Sequence, residues 1–164
     1  MATINSVLGE IDSKDLGFTL MHEHVMVAAS GLSIHYPDLL GPNREERAIE
    51  CLKTAKAHGI DTMLDATTFD LGRDPALLKT VAQASSVNLI NVTGWWLDVP
   101  RFMQGVGANQ MADEFIKDLT EGFRGTDIKA GMLKCAADFE GVTPPLETMA
   151  RAVARAHLQT GVPI

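Results

Sequence analysis

The sequence predicts an α/β fold with a parallel sheet, on three observations. From Gly41 onward, short β-rich runs alternate with amphipathic helical runs. Gly, Asp or Pro punctuates each change from one to the other. The composition, 46% hydrophobic and 21% charged over 164 residues, is that of a chain able to bury one core, and is neither disordered nor fibrous.

A short antiparallel hairpin comes first, at Thr3 to Val7 and Gly9 to Ile11, and Gly17 to Val25 reads as the first long strand. The first helix is predicted from Asn43 to His58. There Ala48, Ile49, Leu52 and Ala55 form one stripe, with Gly59 at the stop position. Ile60 to Ala66 is the next strand. Asp74 then caps a helix with Pro75 at its first position, burying Leu77, Leu78 and Val81. Val87 to Thr93 is an apolar strand, and a loop carrying Trp95, Trp96 and Pro100 leads to a helix from about Gln110 to Glu121. Ala130 to Ala136 is a further strand. Thr143 and Pro144 start the last helix, which runs to Gln159 and closes at Gly161, and Val162-Pro163-Ile164 opens another strand.

The length of this repeat limits the architecture. A βαβ unit needs about 30 residues and a closed eight-unit barrel about 250, with about 200 as a floor. The chain therefore forms either a small open sheet or about half of a barrel, and a strand that opens at the last residues favours the half barrel, a single partial domain over residues 1–164.

Charge and cysteine usage narrow the setting. With 14 basic against 21 acidic residues the net charge is −7, which argues against nucleic-acid or anionic-membrane partners. No apolar run approaches the roughly 18 residues of a bilayer span, and Met1-Ala2-Thr3 opens no secretory signal. Cys51 and Cys135 form no CxxC pair and read as free thiols, so a cytoplasmic location is expected.

Few residues are placed to do chemistry. His22 and His24 lie two apart on a strand, so both side chains share one face and Glu23 takes the other, a spacing that can ligate one metal but in an isolated HxH is more often structural. Lys134 lies in the apolar strand Gly131-Met132-Leu133-Lys134-Cys135. A lysine there must be paired, modified, lining a site, or extended toward solvent. Desolvation would lower its pKa, as a Schiff-base amine or an amine that reacts with carbon dioxide requires. Asp65 and Asp138 are candidate ligand or supporting carboxylates. His35, His58 and His157, by contrast, occupy loop or helix positions without partner spacing. Trp95 and Trp96 follow a strand end, where a barrel places its pocket loops, and serve either a substrate site or the core. GxSxG, P-loop and HExxH patterns do not occur, and Gly105-Val106-Gly107 is a poor dinucleotide fingerprint.

Taken in order, Gly17-Phe18-Thr19-Leu20-Met21-His22-Glu23-His24, Gly59-Ile60-Asp61-Thr62-Met63-Leu64-Asp65-Ala66-Thr67, Thr93-Gly94-Trp95-Trp96 and Ile128-Lys129-Ala130-Gly131-Met132-Leu133-Lys134 resemble strand motifs of the phosphotriesterase family of the amidohydrolase superfamily. Gly161-Val162-Pro163-Ile164 resembles the start of that family's fifth strand.

The resemblance implies a TIM (β/α)8 barrel, of which this chain supplies the first four βα units after the hairpin. It implies two divalent metals, commonly zinc, with His22 and His24 on the more buried one. Lys134, carboxylated to a carbamate, bridges both. A bridging hydroxide would attack a phosphotriester, lactone or aryl ester, with Trp95 and Trp96 as substrate-binding candidates. The family's remaining ligands, two histidines from the fifth and sixth strands and an aspartate from the eighth, lie outside these 164 residues, so the chain by itself is expected to be inactive. Family members are often dimers, so a homodimer is an expectation. Two rival readings stand: a non-catalytic or degenerate fragment acting through a partner chain, and a complete open-sheet enzyme using Lys134 as a Schiff-base amine.

Overall fold

A computed structural model describes residues 2–97 and 99–164. The hairpin strands β1 (Thr3–Ser6) and β2 (Gly9–Asp12) pair antiparallel. They precede a parallel sheet in the order β3 (Thr19–Glu23), β4 (Thr62–Asp65), β5 (Asn88–Gly94), β6 (Met132–Lys134). Among the described residues there are five α-helices: α1 (Leu32–His35), α2 (Arg44–Ala57), α3 (Pro75–Ser85), α4 (Ala108–Thr120) and α5 (Pro144–Thr160). Sequential strands are neighbours and each crossover carries a helix, as in the first half of a barrel.

Period-two alternation divides the sheet into two faces. Met63, Leu89 and Leu133 point outward into the main core, where Leu52, Leu78, Val81, Met111, Phe115, Met149 and Val153 of the helices meet them. Leu64, Ile90 and Val92 point inward, packed by Met132 and by Ile4 and Leu16 of the N-terminal segment.

The hairpin plugs the amino end of the strands, positioned by groups of high sequence separation. Asn5 Nδ2 donates to the carbonyls of Leu119 at 3.0 Å and Ala130 at 2.9 Å, and the Val7 amide donates to Leu89 O at 2.9 Å. Gly131 lets the hairpin come this close, because a Cβ there would run into Asn5 O and Ile90.

Most predicted elements form, with shifted ends. Asp74 caps α3 by accepting from the Leu77 amide at 3.0 Å, and Gly161 ends α5 at φ +73°. The first strand is shorter than Gly17 to Val25: pairing stops at Glu23, and His24 lies just beyond it. The strand of Lys134 is likewise only three residues long. Residues 162–164 form no strand, although Leu133 N donates to Pro163 O at 2.9 Å along the far edge of β6. Helix α1 and four short 3-10 turns were not apparent in the periodicity. Both cysteines are free, and among the described residues no helix is long and apolar enough to cross a membrane.

One irregularity matters for the site. Leu20 pairs with Met63, but Glu23 pairs with Asp65, so β3 spends one more residue than β4 over the same stretch. This bulge changes which face the strand presents. Leu20 packs outward against the helices, as its partner Met63 does, and Glu23 shares the outward register of Asp65. His22 and His24 are thereby turned to the inner face. Strict alternation from Leu20 would have sent both of them toward the helix layer.

Candidate metal centre

Lys134 shares the inward register of Met132, two residues before it on β6, and so faces the same space as the two histidines. Its Nζ lies 3.1 Å from His22 Nε2, although 112 residues separate them in sequence. The His22 and His24 rings meet edge to face, with centroids 5.4 Å apart. Three nitrogen-bearing side chains thus converge at the carboxyl end of the strands. Gly94, at φ +111° beside Lys134, leaves room for this approach, since a Cβ there would strike the Lys134 carbonyl.

The local electrostatics are those of crowded bases. Partial burial lowers the Lys134 ammonium below its ordinary range. Burial, and after it the positive charge of His22 and of Lys134, lowers His24. The neighbouring Cys135 thiol is pushed up by burial, which makes it a poor nucleophile.

Such a donor set fits a divalent metal in part. Two imidazoles on one face are suitable ligands, whereas an ammonium is not, and the lysine must lose its proton or become an anion to contribute. Among the described residues no cluster of three or more His, Cys, Asp or Glu side chains could hold an ion. A cavity of about 410 Å³ lies beside His24, but Glu23, Met26, Arg44, Cys51 and Met63 line it, and His22 and Lys134 do not.

The two candidate carboxylates are placed away from the inner face. Asp65 shares the outward register of Met63, 1% exposed, and accepts from Val25 N at 3.1 Å, Thr67 Oγ1 at 2.7 Å and Asn91 Nδ2 at 3.4 Å. Burial pushes its pKa from 3.8 to about 6, against the pull of the Thr67 and Val25 hydrogen bonds and of Arg73. It therefore cannot reach the inner face as a ligand. Asp138 turns an exposed loop, accepting from Phe139 N at 2.8 Å.

The two tryptophans separate. Trp95 is 8% exposed, packed edge to face against Phe69, Phe102 and Phe115, so its indole belongs to the core. Trp96 is 42% exposed, and its amide donates to Asp70 Oδ1 at 3.4 Å.

Sequence reasoning missed Thr67, whose hydroxyl touches both Asp65 and His24 Nδ1, the latter at 2.9 Å. It also missed a polar group behind the sheet. There the Arg73 guanidinium donates to Val92 O, pairs with Asp118 at 3.5 Å and lies over the Phe123 ring. Each contact is nonlocal, and no spacing rule links residues 67 and 24 or 73 and 118.

A model of the phosphotriesterase family matches residues 2–164. The chain belongs to the phosphotriesterase family. It is 41% identical over 175 residues to the phosphotriesterase homology protein of Mycobacterium tuberculosis, covering 100% of this chain and 54% of that protein. It is 40% identical over 157 residues to an aryldialkylphosphatase of Saccharolobus solfataricus, covering 94% of this chain and 50% of the relative. A solved structure of the phosphotriesterase from Mycobacterium tuberculosis superposes with a TM-score of 0.92 at 40% identity, over 99% of this chain and 54% of that one. The chain spans about half the length of the curated relatives it matches. Its curled four-stranded sheet with flanking helices is accordingly the first half of the phosphotriesterase barrel.

Proposed function

We infer that the chain contributes the amino-terminal half of a metal-dependent ester hydrolase. The convergence of His22, His24 and Lys134 at the carboxyl end of the strands supports this most directly. The similarity to a protein named aryldialkylphosphatase favours phosphotriesters as the substrate class, with lactones and aryl esters as the alternatives the family resemblance offers. His22 and His24 would hold one divalent metal, commonly zinc, and Lys134 would bridge it to a second. Metals bound there would lower the pKa of a bound water toward about 7 and polarise the phosphoryl or carbonyl oxygen.

The chain's own residues make that assembly chemically reasonable. A lysine whose ammonium is destabilised by burial has more neutral amine at a given pH. The neutral amine adds to carbon dioxide, forming an N–C bond and releasing one proton, and the carbamate that results shares one negative charge over two oxygens. This converts a cation that would repel a metal into a ligand that attracts two. Trp96, half out of the surface beside the strand ends, would pack on the leaving group or acyl chain.

Zinc titration of the purified chain in bicarbonate, with His22→Ala/His24→Ala and Lys134→Met as controls, tests the reading. Stoichiometric binding that is lost in both variants is expected, with a carbon-13 carbamate signal that Lys134→Met removes. Absence of zinc binding to the unaltered chain would overturn it and favour a non-catalytic scaffold. The chain alone should not hydrolyse paraoxon or a lactone when metal-loaded, and measurable turnover would refute that.

A further inference from the structure

Asp65 sits behind the sheet, yet its Oδ1 begins a connection that ends on an imidazole at the front. Thr67 Oγ1, at the rim between the two faces, lies 2.7 Å from Asp65 Oδ1, 2.9 Å from His24 Nδ1 and 3.5 Å from Met26 O. A threonine hydroxyl has one proton to give. The carboxylate is the nearer acceptor and carries charge, so the proton is donated there. The hydroxyl is then an acceptor toward His24, which must carry its ring proton on Nδ1 and keep the lone pair on Nε2. Asp65 Oδ1 also accepts from Val25 N at 3.1 Å, so one oxygen holds both the ring of His24 and the backbone that follows it. Asp65 and Thr67 are each 1% exposed, which keeps water from competing for these bonds.

We propose that Thr67 and Asp65 form a positioning relay that fixes His24 as the Nδ1–H tautomer and presents Nε2 as its ligating nitrogen. The relay deepens the reading of His24 as a metal ligand and rests on it. Thr67 touches neither metal nor substrate and acts through His24. Metal-bound imidazoles generally need such a partner on the second nitrogen, and its loss costs about 10-fold or more in affinity. Here the supporting carboxylate is too far behind the sheet to serve directly, and the hydroxyl carries its influence over the rim.

Nitrogen-15 spectra of the His24 ring in the metal-free chain test this at about pH 8, where imidazoles are neutral. The unaltered protein and Thr67→Ser should show protonated Nδ1 and unprotonated Nε2, whereas Thr67→Val should show a mixture of tautomers. Zinc affinity should fall about 10-fold in Thr67→Val and recover in Thr67→Ser. A Nε2–H tautomer in the unaltered chain overturns the relay, whether or not Thr67→Val folds. A pure Nδ1–H signal in folded Thr67→Val overturns it as well. If zinc does not bind the unaltered chain, the ligand reading fails, while the tautomer still decides the relay.

Discussion

Replacing Asp65 with asparagine should stabilise the chain at neutral pH and leave its stability in acid unchanged. The carboxyl is 1% exposed, and burial lifts its pKa from 3.8 to about 6. Because the folded-state value lies above the unfolded one, the folded chain binds more protons than the unfolded chain across that window. Stability therefore falls as pH rises from about 4 to about 6, and the full cost of the buried charge is present above it. The gap between the two values corresponds to about 3 kcal/mol. An asparagine at this position keeps an oxygen to accept from Val25 N and Thr67 Oγ1. If the Asn91 amide turns over, its Oδ1, a buried acceptor with no partner among the described residues, accepts from the new amide in place of the bond Asn91 Nδ2 now gives Asp65. Urea unfolding of the unaltered chain and Asp65→Asn, followed by tryptophan fluorescence at about pH 4, 5 and 7, reads the difference. It should grow from near zero at the acid end to about 3 kcal/mol at pH 7. A difference independent of pH, or an asparagine variant less stable at pH 7, would refute the electrostatic account.

Two further substitutions probe how the sheet is held. Asn5→Ala removes both bonds that tie the hairpin to Leu119 and Ala130, and should cost about 1–3 kcal/mol in denaturant unfolding while zinc affinity stays unchanged. Gly94→Ala combines a positive φ with a Cβ driven against the Lys134 carbonyl, so it should cost about 2–4 kcal/mol in thermal unfolding and weaken zinc binding as well.

The strand and helix order was legible because each boundary carries its own local signal. Asp74-Pro75 announces α3, and Gly161 ends α5. Length excluded a closed barrel, since eight units do not fit in 164 residues, but left a small open sheet and half a barrel both open. His22, His24 and Lys134 were identifiable because imidazoles at a spacing of two, and a lysine in an apolar strand, are conspicuous in one dimension. Local signals could not decide the faces. The end of a strand left Asp65 open as a ligand or as a supporting carboxylate, and only its register with Asn91, which puts it behind the sheet, separates the two. Trp95 and Trp96 are adjacent, so no spacing rule could tell which one the core would take. Thr67 carries no local signal, because its importance lies in partners that the fold brings from 41 to 43 positions away.

The extra residue in β3 puts regular hydrogen bonding and chemistry in opposition along a single strand. Pairing this same sequence with β4 without the bulge, Met21 opposite Leu64 and His22 opposite Asp65, would let the ladder run without interruption, a tidier sheet by any backbone criterion. It would also rotate the later part of the strand by half a turn, leaving Leu20 in the core and hiding the two imidazoles among the helices. Selection for a well-stitched strand alone would thus erase the donors while keeping the barrel intact. The defect is the place where this fold gives up local order for a site.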